Sequence, residues 1–270
     1  NGSALLREDA MIPRVGTKVF TERVTYDEAS KRVEKTANGD IEVKTVLTRD
    51  TVGASWKYKM NFRWMPSEAL YGLGSHMEDY MNLKGKELYL CQHNLKAMVP
   101  VINSTAGYGL LFDAGCSMLF RDTEEVGYVE LEAAKQIDYY FMKGKTMDAV
   151  IANYRLLTGK SPMMPLYLFG YIQSKERYVS SDDLINTLKQ FRQKQIPVDM
   201  IVQDWNYWPD GQWGRMSMNP TFYPDKKKLT DEIHAMNAKL MISIWPNAVN
   251  SPQTDDFKQK GLLFNGTTVY

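Results

Sequence analysis

The loop of residues 201–214 holds the side chains whose types and spacing are best suited to chemistry in this chain. An apolar run, residues 198–202, leads almost directly into the carboxylate Asp204. The aromatic residues that follow it are Trp205, Tyr207, Trp208 and Trp213. A carboxylate accepts hydrogen bonds from hydroxyl groups, while aromatic rings stack on apolar C–H faces. This pattern favours a site for an uncharged, polyhydroxylated ligand over a loop that only packs its rings into a core.

The composition narrows the classes of function. With 33 basic and 32 acidic residues the formal net charge is +1, and no basic stripe is present. Binding of nucleic acid is therefore not expected, and the substrate is expected to be neutral. No run of about 18 apolar residues occurs, so membrane insertion is not expected. The chain begins at Asn1 without a methionine or an apolar signal core, so we interpret it as a trimmed mature protein or a designed piece in which no export signal is readable. A periplasmic or secreted location is favoured.

The residue types that bind metals are scattered along the chain. The three histidines, His76, His93 and His234, are far apart and lack the spacing of metal ligands. Cys91 and Cys116 can form a disulfide bond, although two separate thiols are the favoured alternative. The sequence therefore predicts no metal site.

The first half of the chain has the residue pattern of β-structure. Its segments alternate in polarity or are rich in Val, Thr and aromatic residues, and turn signals such as Asn38-Gly39-Asp40 separate them. The predicted strands span residues 18–26, 41–49, 55–64, 88–91, 98–103, 108–112, 118–121, 126–131 and 136–142. Many short strands at a spacing of about ten residues predict a β-sandwich for residues 1–145.

The second half changes to a pattern of alternating strands and helices. Residues 146–158 predict a helix that Thr146 caps and Gly159 ends, and residues 146–164 form the boundary between the domains. Apolar strands are predicted at 166–173, 198–203 and 240–245, and helices at 181–191, 225–237 and 255–260. This spacing is typical of βα units. The predicted fold class is therefore multidomain, a β-sandwich followed by an α/β domain over residues 165–270.

Three βα units do not close a barrel. They can form a small open sheet, but a (β/α)8 barrel needs about 250 residues. Because the segment before Tyr270 has the pattern of a lead-in to a fourth strand, we interpret the chain as the truncated N-terminal part of a longer protein. An uncovered edge of buried strands would also permit self-association through the incomplete barrel.

An ordered set of motifs gives the chain a resemblance to glycoside hydrolase family 31, the retaining α-glucosidases and α-xylosidases. In the first half, residues 70–74 (LYGLG) resemble the family's YGLG element, and residues 92–109 resemble a loop and strand that reach the active site. In the second half, the matching segments are 165–174, 191–199 (FRxxxIPxD), 203–205 (QDW), 222–225 (FxPD) and 241–246. Residues 174–178 (SKERY) and 203–205 look more like the bacterial α-xylosidase branch.

The resemblance implies a galactose-mutarotase-like sandwich followed by the first three βα units of a (β/α)8 TIM barrel. It also implies a retaining mechanism, in which one carboxylate attacks the anomeric carbon while a second protonates the leaving oxygen and then activates water. In the family both carboxylates are aspartates at the ends of later barrel strands. We therefore expect them beyond Tyr270 and assign no catalytic residue in this chain. No metal and no organic cofactor is implied.

The resemblance further implies which residues bind a neutral oligosaccharide. Asp204 is expected to accept hydrogen bonds from sugar hydroxyls. Trp205 is expected to limit the space near the C5 substituent of the sugar. The other candidate substrate-binding residues are Lys175, Glu176, Trp208, Gln212, Trp213, Trp245, His93 and Asn94. Each candidate has a structural alternative, which is a helix cap or an ion pair with Arg215 for Asp204, core packing for the tryptophans and a solvated loop for Lys175 and Glu176.

The leading hypothesis is an α-xylosidase that releases terminal α-linked xylose from oligosaccharides. An α-glucosidase is the alternative within the same family, because xylose and glucose differ by one hydroxymethyl group. A non-catalytic carbohydrate-binding module is the alternative of another class. An enzyme for phosphorylated sugars is disfavoured, since no glycine-rich phosphate loop opens a helix in this sequence.

Overall fold

The computed structural model describes residues 4–8, 15–36, 39–93, 95–123, 125, 127–244, 252–260 and 262. The chain divides into two compact units, Asn1–Ser161 and Pro162–Tyr270. Each unit is built around an apolar core of its own.

The first unit is rich in antiparallel β-structure. Its strands in chain order are β1 (Arg7–Glu8), β2 (Val15–Thr36), β3 (Gly39–Arg63), β4 (Leu70–Ser75), β5 (Glu87–Leu90), β6 (Ala97–Ser104), β7 (Tyr108–Phe112), β8 (Met118–Asp122), β9 (Gly127–Ala134) and β10 (Tyr139–Lys143). Within the described residues, one sheet has the order β1-β3-β9-β8-β5 with β2 paired to β3, and the other has the order β10-β7-β6-β4. The β-rich first half predicted from the sequence is confirmed.

Both sheets of the first unit contribute side chains to one apolar core. In β5, Leu88 and Leu90 are buried while Glu87 and Tyr89 are exposed, as expected when successive side chains point to opposite faces of a sheet. In β7, by contrast, nearly every residue is buried, because Leu110 and Phe112 lie in this core while Leu111 packs against a second cluster on the other face. The strands of both sheets thus turn one face towards the shared core.

Two of the predicted strands, 41–49 and 55–64, are one continuous strand, and the prediction of a break between them was wrong. Between them the register of the β2–β3 pairing shifts, since Thr21 pairs with Gly53 but Glu22 pairs with Thr51. The additional residue, Val52, is accommodated as a β-bulge, so the chain does not reverse. The strand β2 likewise extends well beyond the predicted residues 18–26. Asn38, of the predicted turn, lies outside the described residues.

The first unit ends with helix α1 (Met147–Thr158), as the sequence predicts. The side chain of Thr146 accepts a hydrogen bond from the backbone N–H of Ala149, and Gly159 follows the helix at φ 86°. Such a hydroxyl cap satisfies one of the free N–H groups at the start of a helix. Val150 is fully buried, so the helix is held by packing as well as by its caps.

The second unit is a three-stranded parallel sheet covered by helices. Its elements in chain order are β11 (Ile172–Gln173), α2 (Ser181–Gln193), β12 (Met200–Gln203), α3 (Lys226–Ala235), β13 (Lys239–Ile242) and α4 (Pro252–Gln259). The sheet has the order β11-β12-β13, so β12 is central. A core formed by Leu184, Leu188, Ile201 and Ile233 joins α2 and α3 to this sheet, and all four side chains are fully buried. The predicted alternation of strands and helices is confirmed.

The predicted strand at 166–173 is largely wrong. Leu166–Phe169 form a 3₁₀ helix, and only Ile172–Gln173 pair with β12. Leu166 and Phe169 are 86% and 73% exposed, so this apolar run is not buried on both sides as a central parallel strand would be. A short apolar run does not by its periodicity distinguish a strand from a helical segment. The preceding Pro165 initiates the 3₁₀ turn, since its carbonyl accepts from Leu168 N–H at 3.0 Å.

Cys91 and Cys116 are both free, partly buried thiols. Among the residues that the structure describes, no helix is long and apolar enough to span a membrane. In that same part of the chain, no group of three or more His, Cys, Asp or Glu side chains is arranged to hold a metal ion.

Candidate functional site

The carboxyl ends of the three parallel strands meet at one edge of the second unit. Gln173 pairs with Ile201, and Gln203 pairs with Ile242, so the strands end close to the same level. Just beyond this level, Ser243 N–H donates to the carbonyl of Gln203 at 3.0 Å. In parallel α/β sheets, loops at this edge form the binding site.

Gln203 and Asp204, adjacent at the end of β12, lie in different environments. Gln203 lies on the helix-covered face with Ile201, two residues earlier, and its side chain is fully buried. The same alternation places Met200 and Val202 on the other face, and Asp204 follows the strand directly with a partly exposed side chain. The end of the strand thus carries a buried amide, Gln203, followed by a partly exposed carboxylate, Asp204.

A buried network fixes the main chain on which Asp204 is carried. Gln203 Nε2 donates to the carbonyl oxygen of Tyr178 at 3.3 Å, and its Oε1 lies 3.1 Å from Tyr223 Oη. The Tyr223 hydroxyl also contacts the Tyr178 carbonyl oxygen. Burial is the main cause that raises the pKa of Tyr223 to about 12, with a smaller contribution from Asp183. The hydroxyl therefore remains protonated at neutral pH and can donate.

Asp204 itself is partly exposed. In the described part of the chain, no group donates a hydrogen bond to its carboxylate or pairs with it as an ion, and the alternative of an ion pair with Arg215 is absent there. Its charge acts on Tyr207, whose pKa is raised mainly by burial and further by Asp204. A carboxylate without a partner retains all of its capacity to accept hydrogen bonds from hydroxyl groups.

Trp205 is held at this edge by its backbone and by its ring. Its N–H donates to the carbonyl oxygen of Glu176 at 3.0 Å, which joins the loops after β11 and β12. Arg177 Cζ lies 5.4 Å from the centre of its ring, and the ring of Trp213 meets it at 76° with centroids 6.4 Å apart. Asn206 follows with φ 53° and turns the chain immediately after the indole.

Trp208 has a different environment from Trp205 and Trp213. It is 4% exposed and packs in the core of the unit, in a T-shaped contact with Tyr207 at a centroid distance of 5.2 Å. The Tyr207 hydroxyl donates to Ser243 O at 3.1 Å, which ties this loop to the end of β13. Trp213, at 36% exposure, is the more accessible of the two predicted loop tryptophans.

Gln212 and Lys175 both have contacts within the protein. The Gln212 side-chain oxygen accepts from Arg215 Nη1, and its N–H closes a turn onto Pro209 O at 3.1 Å. Lys175 Nζ lies 3.4 Å from Asp183 Oδ2 and 4.5 Å from the ring centre of Tyr178, so it is directed towards the start of α2. These two side chains therefore shape the loops that surround the edge.

The remaining candidate substrate-binding residues do not all lie at this edge of the sheet. Glu176 is exposed beside Trp205, with its carbonyl in the hydrogen bond described above. His93 belongs to the first unit, where it forms an isolated bridge with Lys96 and has an exposed side chain. Asn94 and Trp245 lie outside the described residues. The structure thus brings Glu176, Trp205 and Asp204 together at one strand edge.

Sequence reasoning did not single out Gln203, Tyr223 or Arg177 as side chains that support this edge. The signal for Gln203 is a lone amide at the end of an otherwise apolar strand, next to the candidate carboxylate. Arg177 occurs in the SKERY segment, but nothing in its spacing identifies an indole as its partner. Their contacts depend on residues 20 to 45 positions away, as the Gln203–Tyr223 and Tyr178–Tyr223 hydrogen bonds illustrate.

The structure is a β-rich unit followed by a unit of parallel strands and helices, the arrangement of the βα units of a TIM barrel. Residues 161–269 match the Glycosyl hydrolases family 31 TIM-barrel domain. Residues 161–269 thus carry the barrel domain of glycoside hydrolase family 31, and the chain as a whole is similar to proteins of that family.

Similar proteins extend this match to both units. The chain is 37% identical over 230 residues to an α-xylosidase of Saccharolobus solfataricus, covering 80% of the chain and 31% of that protein. It is 28% identical to an uncharacterized family 31 glucosidase of Pseudescherichia vulneris, covering 78% of the chain and 40% of that protein. A family 31 α-xylosidase from a soil metagenome, solved with xylose, superposes with a TM-score of 0.72 at 27% identity, covering 86% of the chain and 32% of that protein. The chain spans about a third of the length of the α-xylosidases it matches.

Proposed function

We propose that the full-length protein is a retaining α-glycoside hydrolase, and that it is an α-xylosidase releasing terminal α-linked xylose from neutral oligosaccharides. The observation that carries this proposal is the similarity to the α-xylosidase of Saccharolobus solfataricus across both units. The similarity to a solved α-xylosidase in complex with xylose supports the same substrate. The first unit is then the family's galactose-mutarotase-like sandwich.

Asp204 is the residue proposed to hold the sugar. Its carboxylate directly follows the central strand, is partly exposed and has no protein partner among the described residues. Sugar hydroxyls would donate to it, and a hydrogen bond to a charged acceptor is worth about 1.5–3 kcal/mol. Glu176 and Trp213 lie at the same edge and are proposed to contact the parts of the substrate nearer the leaving group.

The two catalytic carboxylates of a retaining enzyme must lie about 5–5.5 Å apart. Asp199 and Asp204 lie before and after β12, so at about 3.3 Å per residue they are about 16 Å apart. The carboxylate of Asp199 also has a structural role, since its Oδ2 accepts a hydrogen bond from the backbone N–H of Tyr171 at 3.2 Å. These two aspartates therefore do not form the catalytic pair, and we propose that other strands of the full-length barrel supply it.

Trp205 is proposed to select xylose over glucose. It follows Asp204 directly, and its indole is a bulky, partly buried wall beside the sugar-holding carboxylate. Glucose carries a hydroxymethyl group on C5 where xylose carries hydrogen, so such a wall would exclude glucosides by steric contact. Trp245, which lies outside the described residues, is proposed as a second apolar wall of the same subsite.

An α-glucosidase is the second candidate, because a family 31 glucosidase is also among the similar proteins. The test is hydrolysis of 4-nitrophenyl α-xyloside and 4-nitrophenyl α-glucoside by the purified full-length protein. A higher kcat/KM for the xyloside is expected. A preference for the glucoside would support a glycosidase that acts on glucose instead of xylose. Inactivity on both substrates, together with retained binding of xylose, would indicate a carbohydrate-binding protein instead of an enzyme.

A further inference from the structure

The guanidinium of Arg177 lies over the indole of Trp205. Its Cζ is 5.4 Å from the ring centre, within the range of a cation–π contact. Arg177 is half-buried, and no carboxylate forms an ion pair with it in the part of the chain that the structure describes. The contact with Trp205 therefore helps to hold this charge at the strand edge.

The main chain of Trp205 is fixed independently of Arg177. The N–H of Trp205 donates to Glu176 O, and the hydroxyl of Tyr207, two residues later, donates to Ser243 O. The orientation of the indole, in contrast, depends on what contacts the ring. Those contacts include the guanidinium of Arg177 over the ring and the angled ring of Trp213.

We propose that Arg177 is a positioning residue that holds the Trp205 indole in the orientation that excludes glucosides. This inference rests on the proposed function, in which Trp205 faces the C5 substituent of the sugar. When the guanidinium is present, rotation of the indole away from the sugar costs the cation–π contact. Without it, the ring can move aside and leave space for a hydroxymethyl group.

The side chain at this position has to be an arginine for full effect. A guanidinium is planar and stacks on an aromatic ring, whereas an ammonium is a compact, strongly hydrated charge. The same loop contains Lys175, but its ammonium lies over the ring of Tyr178 and pairs with Asp183. The two cations of this loop thus contact different rings, and Arg177 is the one placed over Trp205.

The experiment compares kcat/KM for the two 4-nitrophenyl glycosides in the full-length protein and its Arg177→Met, Arg177→Lys and Trp205→Ile variants. In Arg177→Met, kcat/KM for the glucoside is expected to rise about two- to fivefold, which corresponds to loss of one cation–π contact. Arg177→Lys is expected to give a smaller rise. A gain of activity towards one substrate does not result from a general loss of folded protein, so this readout separates positioning from stability.

A double variant tests whether Arg177 acts through Trp205. Arg177→Met introduced into Trp205→Ile is expected to leave the xyloside-to-glucoside ratio where Trp205→Ile alone sets it. The matched control is Lys239→Met, which removes a cation 5.7 Å from the ring of Tyr167 at the opposite edge of the same sheet. This control is expected to keep the wild-type ratio.

The outcomes separate the inference from the proposed function. If Trp205→Ile relaxes the preference and Arg177→Met does not, the positioning role of Arg177 is overturned while the proposed function stands. An additive effect of the two substitutions would overturn it as well, because Arg177 would then act independently of Trp205. If the unmodified protein hydrolyses neither glycoside, the proposed function fails and the inference fails with it.

Discussion

The backbone N–H of Trp205 donates to the carbonyl oxygen of Glu176 at 3.0 Å, which joins the loops that follow the first and second parallel strands. This bond keeps the two loops at a fixed separation just beyond the sheet. It also places the side chain of Trp205 next to Asp204 in a defined direction. A site assembled from several loops requires such links, because loops are otherwise the most mobile parts of a fold.

The carboxylate of Asp204 should be required for substrate binding. In the full-length protein, Asp204→Asn is expected to lower kcat/KM for 4-nitrophenyl α-xyloside by about ten- to a hundredfold, because an amide accepts hydrogen bonds from hydroxyls more weakly than a carboxylate. The matched control is Asp210→Asn, which removes the same charge from an exposed position of the same loop. Equal kcat/KM in Asp204→Asn and in wild type would rule out this role.

Arg192 should stabilise the second unit. Its guanidinium donates to Met236 O at 2.9 Å, to Val198 O at 2.6 Å and to Asn237 O at 3.2 Å. Arg192→Met leaves these carbonyls without donors, so the free energy of unfolding in urea is expected to fall by about 2–3 kcal/mol. Lys189→Met, at an exposed position of the same helix, should change it by less than about 0.5 kcal/mol. Similar losses in the two variants would contradict the prediction.

Alkaline pH should destabilise the second unit in part through Tyr223. Burial raises the pKa of Tyr223 to about 12, whereas an exposed phenol in the unfolded chain has a pKa of about 10. Below pH 10 the phenol is protonated in both states, so its contribution to stability is complete. Between pH 10 and pH 12 only the unfolded state ionises, and stability is lost by about 1.4 kcal/mol per pH unit.

The Tyr223→Phe variant isolates this effect, since it removes the ionisable group and keeps the ring. The variant is expected to be less stable at pH 8 by about 1 kcal/mol, because the contact with Gln203 Oε1 is lost. Between pH 10 and pH 11 its unfolding free energy should decline less steeply than that of wild type. Parallel curves for the two proteins would show that Tyr223 does not titrate on unfolding in this range.

Gly72 in the LYGLG segment should tolerate no side chain. It has φ 119°, and a Cβ added there would lie 2.2 Å from the carbonyl oxygen of Val101 in the neighbouring strand. Gly72→Ala is therefore expected to lower the thermal unfolding midpoint strongly. The decrease should be larger than the decrease that an alanine with positive φ causes without a steric clash. Gly85→Ala is the control, because Gly85 also has positive φ, at 71°, but nothing within 4 Å of an added Cβ. Equal effects in both variants would mean that the contact with Val101 carries no cost.

Much of the fold follows from local patterns. The helix at Met147–Thr158 and its cap by Thr146 are confirmed because capping and apolar spacing are properties of a few neighbouring residues. The strand at Tyr108–Phe112 has the bounds that the sequence predicts. The places where a strand ends were harder to predict. The predicted break between residues 49 and 55 is a bulge within β3, because β3 stays paired with β2 on both sides of it.

The sequence by itself determined the change from a β-rich half to alternating strands and helices, and the position of Asp204 directly after a buried strand. Hydrophobic periodicity and capping act over a few residues, and both are visible in the printed chain. Only the tertiary structure decided the surroundings of that carboxylate. It buries Gln203 against Tyr223, ties Trp205 to Glu176 and lays Arg177 over the indole. These contacts join residues far apart in the chain, and side-chain packing in three dimensions determines which of them form.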